Sequence, residues 1–452
     1  MKRVNIKVGV YALLVATLAS AGRGHAKDLG DILLQKGVIT QDELKQAREE
    51  EKQKPAETSK LGGVTIPEWI NMITPFGDIR TRWEGFYEKD MNARNRFRIR
   101  ARPGLKVKVS DELSGAVRLA TGDSNDPIST NQTFSNTFTR KSINFDQGYI
   151  TVTPGKTLNL RPGVFSVTTG KFGVNAYRTS ELVWDDDLSP EGATETFGLV
   201  DFKDGFLRGL KLNTFQWVVD EISNANDPWM VGGQVVADTS FDDSAKWTMA
   251  FADFNYQNLN SVAKKFLEPS SKNFNSALAN NNSVIKDSSG KIIAYKSGFN
   301  IINASTELNF PDALGVPAGW FGDFAYNTQA DSQSAGFYTG VGIGKAGKDW
   351  YHNGLKNAGD WGLSYTYAGV EKNAVLSIFS YSDIDYNQSK ASQRGSTNVS
   401  AHILRVDYVL LPHLQLTAKA ELINALNRKL SDASLSGNPT LLRTQLDAVL
   451  SF

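Results

Sequence analysis

The 452-residue chain contains no cysteine, sets 49 Lys and Arg against 48 Asp and Glu, and holds 39 Gly, 47 aromatics and only 14 Pro. Charge this close to balance argues against a nucleic-acid binder, which is distinctly basic, and the missing cysteine excludes a disulfide framework. No stretch is apolar enough to cross a bilayer as a helix, which needs roughly 20 such residues.

Residues 1–26 read as a secretory signal peptide: Lys2, Arg3 and Lys7, a short apolar core over 8–19, and Gly24-His25-Ala26 as the cleavage site, with an alternative after Ala21. Its removal leaves 45 basic and 48 acidic side chains. Export without disulfides points to a soluble periplasmic or secreted β protein, or to an outer-membrane barrel. Residues 27–63 differ in kind. Leu29, Ile32 and Leu33 recur at helical spacing, and Thr40-Gln41-Asp42-Glu43 is a capping box opening a second helix through Leu44 and Ala47. This segment reads either as a small periplasmic helical module, through which the protein would associate or anchor, or as a polar leader; 55–63 is a linker.

From about residue 76 the side chains alternate with a period of two, so neighbours point to opposite faces of a strand. The first predicted strand, 76–88, sets Asp78, Arg80, Arg82 and Glu84 against Ile79, Thr81, Trp83 and Gly85. In the second, 94–109, Arg94, Arg96, Arg98, Arg100 and Arg102 take the even positions, with Phe97, Ile99 and Ala101 between them. On a helix these arginines would scatter round the axis. Folding back around Met91 sets Arg82 opposite Arg100, Arg80 opposite Arg102 and Glu84 opposite Arg98, and like charges across an antiparallel pair are destabilising. Such a wall is tolerable where it faces water and an opposing acidic surface.

Further strands are predicted at 113–121, 142–154, 159–170, 196–203, 209–220, 230–240, 247–258, 297–309, 319–328, 336–345, 359–372, 398–411, 414–426 and 441–452. Long polar connections (122–141, 171–195, 259–296, 373–397, 427–440) mostly alternate with tight turns such as Lys203-Asp204-Gly205 and Leu411-Pro412-His413. An even number of strands, with long loops on one side and short turns on the other, is what outer-membrane barrels show. The connection 345–358 is long on the short side; a separate strand at 375–384 would break the parity unless one further strand goes with it, which would make 18 strands rather than 16. In the last strand Leu442, Thr444, Leu446, Ala448, Leu450 and Phe452 share a face, and the chain ends on that phenylalanine. The expected fold is all-β: a closed transmembrane antiparallel barrel over 64–452, preceded by a short helical periplasmic segment.

Several stretches, among them Arg118-Leu119-Ala120-Thr121-Gly122-Asp123, Ser129-Thr130-Asn131-Gln132-Thr133, Asp146-Gln147-Gly148-Tyr149 and Val183-Trp184-Asp185-Asp186-Asp187-Leu188-Ser189-Pro190-Glu191-Gly192, resemble the putative-porin family of Gram-negative outer membranes. So do Gly344-Lys345-Ala346 before Gly359-Asp360-Trp361, and the leader Leu29-Gly30-Asp31 through Gly37-Val38-Ile39-Thr40. The resemblance spans nearly the whole mature chain. It implies a channel fold more firmly than any substrate, and it brings no catalytic residues.

An arginine at the lipid midplane costs roughly 2–4 kcal/mol, so Arg80, Arg82, Arg96, Arg98, Arg100 and Arg102 are expected to line a water-filled lumen wide enough for small solutes. The loop 171–195 carries Glu181, Asp185, Asp186, Asp187 and Glu191. Similarity in strand count to general porins implies that this loop folds inward and narrows the pore, opposing the arginines across a transverse field. Alternatively its acids solvate the rim or bind a divalent ion among lipopolysaccharide phosphates. Asp123, Asn125 and Asp126 offer hard oxygen ligands of the kind calcium takes, though the spacing is that of a plain polar turn.

The mature chain has three histidines, His352, His402 and His413, with no Gly-x-Ser-x-Gly elbow and no zinc-ligand spacing. The expectation is therefore a passive channel without a cofactor rather than an enzyme; a barrel hydrolase and an anchoring protein using the N-terminal helices are the alternatives. Expected partners are outer-membrane lipid and lipopolysaccharide, small solutes and ions, and, by analogy with sixteen-stranded porins, two further copies in a homotrimer. The N-terminal segment and C-terminus are expected in the periplasm.

Overall fold

The computed structural model describes residues 60–61, 64–65, 68–89, 92–155, 157–161, 163–223, 226–241, 244–276, 278, 281–313, 315–345, 355–385, 396–430 and 440–452. The expected signal peptide, the helical segment 27–54, the fold-back at Met91 and most of 345–358 lie outside the described residues. Two units divide the chain, one running to Ile73 and taking in Phe452, the other Thr74–Ser451. The described part of the first is the strand pair Lys60–Leu61 with Val64–Thr65 and a 3-10 turn, Glu68–Met72.

The second unit is a closed antiparallel barrel. Its strands are β1 (Ile73–Tyr87), β2 (Arg94–Lys108), β3 (Leu113–Thr121), β4 (Ile143–Val152), β5 (Phe165–Lys171), β6 (Glu191–Asp201), β7 (Leu207–Val218) and β8 (Trp229–Phe241). They continue as β9 (Ala245–Gln257), β10 (Phe299–Ala313), β11 (Val316–Asn327), β12 (Ala335–Gly344), β13 (Trp361–Val370), β14 (Val399–Leu411), β15 (Leu414–Ala425) and β16 (Leu441–Ser451). Each lies beside the next, and β16 returns to β1, so the ladder has no open edge. Closure pairs the strands' backbone groups with one another, the condition for lying in hydrocarbon; where β2 parts from β3, Gln132 and Thr133 pair with Ile99 and Arg98 instead.

The period of two places the predicted faces. Phe97, Leu105, Val117, Phe251, Phe324, Leu404 and Leu446 are exposed on the outer surface. Tyr87, Trp229 and Tyr326 stand on the long-loop side and Trp320, Trp361 and Tyr408 on the short-turn side, the two aromatic girdles of a membrane barrel. The run 375–384 is no strand: it ends in a 3-10 turn, Ser382–Ile384, and the barrel keeps 16 strands rather than 18. Two boundaries move furthest. β5 starts at Phe165 rather than 159, because Glu112 accepts the Thr157 N–H at 2.8 Å and its hydroxyl at 2.7 Å, holding that segment in the turn. β6 starts at Glu191 rather than 196, which shortens the preceding loop to 172–190.

The lumen departs from an open water column. On the β7–β14 side Phe215, Phe254, Ile301, Ala325, Val370 and Ala401 point inward and are buried. They pack with Leu182, Val183 and Trp184 from loop 172–190 and with Val375, Leu376 and Ile378 from the loop after β13. Gly336 on β12 makes room: a Cβ there would stand 3.1 Å from Leu182 Cδ1 and 3.3 Å from Ala374 Cβ. Two long loops thus fold inside the barrel against an apolar inner wall, and the polar passage is displaced to the opposite side.

Candidate functional site

That opposite side is the arginine wall. Even positions of β1 and β2 face inward, and Arg80, Arg82, Arg96, Arg98, Arg100 and Arg102 come together there. The wall is not bare, because carboxylates are threaded through it. Asp78 accepts from Arg100 at 2.8 Å and Arg102 at 2.7 Å. Glu84 accepts from Arg96, and Arg98 stands 3.7 Å away. Across the β16–β1 seam, Asp447 takes two hydrogen bonds of 2.7 Å from Arg82. Charge-assisted pairs of this kind offset the mutual repulsion of the guanidinium groups.

Loop 172–190 reaches the wall from across the lumen. Tyr177 and Gln234 exchange two hydrogen bonds of 2.8 Å, and Ser180 donates to Asp323 at 2.6 Å, fixing the loop to β8 and β11. Trp184, 3% exposed, packs on Trp217, Phe254, Tyr256 and Phe379 at ring separations of 5.1, 5.4, 6.0 and 6.4 Å. An aromatic anchored this way sets the position of the acidic run that follows it.

The acidic residues then separate by role. Asp187 meets the wall, 3.0 Å from Arg102 and 3.7 Å from Arg100, and also accepts the Thr130 N–H at 3.0 Å. Asp186 pairs with Arg178 of its own loop at 2.8 Å. Asp185 is turned inward, accepting the N–H groups of Asp187 at 2.8 Å and Ser382 at 3.0 Å. Glu181 lines the same cavity, and its carboxylate accepts the Asp186 N–H at 3.3 Å. Glu191 does not join them: it opens β6 and pairs with Lys171 at 2.9 Å, largely exposed.

A second inserted segment escaped the sequence reading. Ser382–Ile384 brings Asp383 to the wall, where it meets Arg443 at 2.7 Å, Lys419 at 3.0 Å and Arg82 at 3.3 Å. Asn282 holds this segment in place, donating to the carbonyls of Lys372 and Val375 at 2.8 Å each. The available signal was the apolar run 375–384 inside a polar connection, which the alternation argument could read only as a candidate strand.

Between these parts lies a cavity of about 290 Å³, lined by Arg80, Arg82, Arg100, Arg102, Arg405 and Lys419 and by Glu181, Asp185, Asp186, Asp187, Asp383 and Asp447. Burial would raise the Asp187 carboxyl, but Arg102, Arg100 and Arg80 outweigh it and hold the group well below the usual range. Arg443, Lys419 and Arg82 do the same for Asp383 against its burial. Asp185 goes the other way, pushed up by burial and by the neighbouring Glu181 and Asp187. Asp123, Asn125 and Asp126 form a tight turn, with Asp123 accepting the Asn125 N–H at 3.0 Å. Among the described residues no group of three or more His, Asp or Glu is arranged to hold a metal.

A family model described as putative porin matches residues 87–425. The fold is similar to that of OprB from Pseudomonas putida in its high-pH structure, at 11% identity and a TM-score of 0.50, covering 85% of this chain and 96% of that one. OmpF of Salmonella typhi, in its complex with daunomycin, aligns at 11% identity with a TM-score of 0.46, covering 84% of this chain and 97% of that one. No curated protein matches the sequence.

Proposed function

The chain belongs to the putative-porin family and is an outer-membrane channel, and from that premise we propose that small hydrophilic solutes and ions diffuse passively through the charged cavity between the β1–β2 wall and the two inserted loops. The observation that carries this reading is Asp187, held 3.0 Å from Arg102 by a loop anchored on the far wall. Guanidinium groups on one side and carboxylates on the other set up a field across the passage. Low-dielectric walls focus such a field, so permeants are sorted by charge and dipole. In this reading Arg80, Arg82, Arg96, Arg98, Arg100 and Arg102 form the basic side and Asp187 with Asp383 the acidic side. Asp185, Asp186 and Glu181 hold the loop in shape, and Glu191 stands apart.

The same reading places the short turns, residues 27–63 and the C-terminus in the periplasm once 1–26 is removed. The outer apolar belt meets lipid and lipopolysaccharide, and three copies associate as a trimer. Reconstitution in planar bilayers tests the core of it: discrete conductance steps are expected, with a reversal potential in a salt gradient that shifts toward anions in Asp187→Arg. Bilayers that stay silent with folded protein would overturn the channel; unshifted selectivity would overturn the constriction.

A further inference from the structure

Around the charged cavity one guanidinium is bound differently from the rest. Arg100 and Arg102 are hydrogen-bonded to Asp78, Arg82 to Asp447, Arg405 to Asp407 at 2.8 and 3.1 Å, and Lys419 to Asp383 at 3.0 Å. Arg80 has no such carboxylate. Its Nη2 donates to the neutral Asn131 Oδ1 at 2.6 Å, and its Nη1 stands 4.0 Å from Asp447, beyond hydrogen-bond reach. The Arg80 Nε is buried without an acceptor. Asp447 is already committed, since both its oxygens accept from Arg82. The Arg80 side chain keeps 11% of its surface exposed and lines the cavity, so an incoming acceptor meets its outer nitrogens rather than the buried Nε, and gains a charge-assisted hydrogen bond there.

We propose that Arg80 is a binding subsite for the carboxylate of a small monovalent organic anion, the point at which such a solute is held in transit. The inference rests on the channel reading above. A guanidinium presents two donors in a plane that a carboxylate matches and a spherical halide does not. Monovalency follows from the surroundings, because Asp187, Asp186 and Asp447 line the same cavity and would face a second negative charge. Arg82, Arg100, Arg102 and Arg405, each hydrogen-bonded to a carboxylate, then act as a scaffold that keeps the passage polar, while Arg80 reads the solute.

The test is the chloride current of single channels in planar bilayers, titrated with acetate, for the wild type, Arg80→Gln, Arg80→Lys and, as an outside control, Lys108→Gln. Acetate is expected to reduce the wild-type current, with about tenfold weaker block in Arg80→Gln, the worth of roughly one charge-assisted hydrogen bond. Arg80→Lys, which keeps the charge and loses the fork, is expected to retain anion preference yet lose most of the acetate block. Lys108→Gln is expected to behave as the wild type. Conducting Arg80→Gln channels with wild-type acetate block would overturn the subsite and leave the channel standing, as would block lost equally in Lys108→Gln. Folded wild-type protein without any conductance would overturn the channel reading itself. Should Arg80→Gln fail to assemble, acetate block that persists undiminished in Arg80→Lys overturns the subsite equally.

Discussion

Arg82 and Asp447, 365 residues apart in the chain, are joined by two hydrogen bonds of 2.7 Å across the seam where the last strand meets the first. Both side chains are 6% exposed, so the pair closes the barrel from inside, at the wall of the charged cavity.

Breaking that pair loosens the seam. Arg82→Met strands a buried carboxylate, and removal of one partner of a buried pair costs roughly 3–5 kcal/mol. Asp447→Asn is expected to cost less, because Glu84 at 3.4 Å and Asp383 at 3.3 Å remain for Arg82. The temperature at which the folded barrel opens in detergent, followed by its gel mobility, should fall in that order. Equal falls for both variants would count against a seam held by this pair.

Asp187 and Asp185, two residues apart, should respond differently. Asp187→Asn uncovers Arg100 and Arg102 and is expected to move the reversal potential toward anions, as is Asp383→Asn through Arg443 and Lys419. Asp185→Leu removes the acceptor for the N–H groups of Asp187 and Ser382, at about 1–3 kcal/mol for each group left unmet. It is expected to show as unstable, flickering conductance rather than altered selectivity. Matching phenotypes at the two positions would contradict this division of roles.

Trp184 is the anchor of the inserted loop. Truncating a buried aromatic costs roughly 3–5 kcal/mol, so Trp184→Ala should detach residues 172–190 without opening the barrel. Limited proteolysis is expected to cut within this loop in the variant and spare it in the wild type. Resistance of the variant would mean that the contacts of Tyr177 and Ser180 hold the loop unaided.

Lowering and raising the pH should loosen the constriction for opposite reasons. Asp187 is held below its ordinary range, so its contribution is present above the unfolded value, about 3.9, and is lost as pH falls through the folded one. Asp185 is raised, so its protonated form favours the fold, and that contribution is lost as pH rises through its folded value. Counting closing events as the pH is varied should show the limb on acidification flattened in Asp187→Asn and the limb on raising the pH flattened in Asp185→Asn. Unchanged limbs in both variants would refute the assignment.

The strands were legible because their physics is local. Alternation of Arg98, Arg100 and Arg102 with Phe97, Ile99 and Ala101 assigns one face to water and one to lipid whatever the neighbours are, and β2 spans Arg94–Lys108 where 94–109 was expected. β14, at Val399–Leu411, follows the same rule. The inserted segments were less legible. The acidic run at Asp185, Asp186 and Asp187 marked loop 172–190, yet nothing in its pattern separated the residue that meets the wall from the one that binds Ser382. Asp383 stood unnoticed in an apolar run that periodicity could read only as another strand.

What the amino-acid order determined by itself is the barrel: inward charge and outward hydrocarbon repeat every second residue, and a side chain's face depends only on the parity of its position. What the tertiary structure alone decided is the passage. Which guanidinium is quenched depends on which carboxylate, hundreds of residues away, arrives within 3 Å of it, as Asp447 reaches Arg82 and leaves Arg80 at 4.0 Å. Charge pairing acts over distances in space that strand parity does not encode.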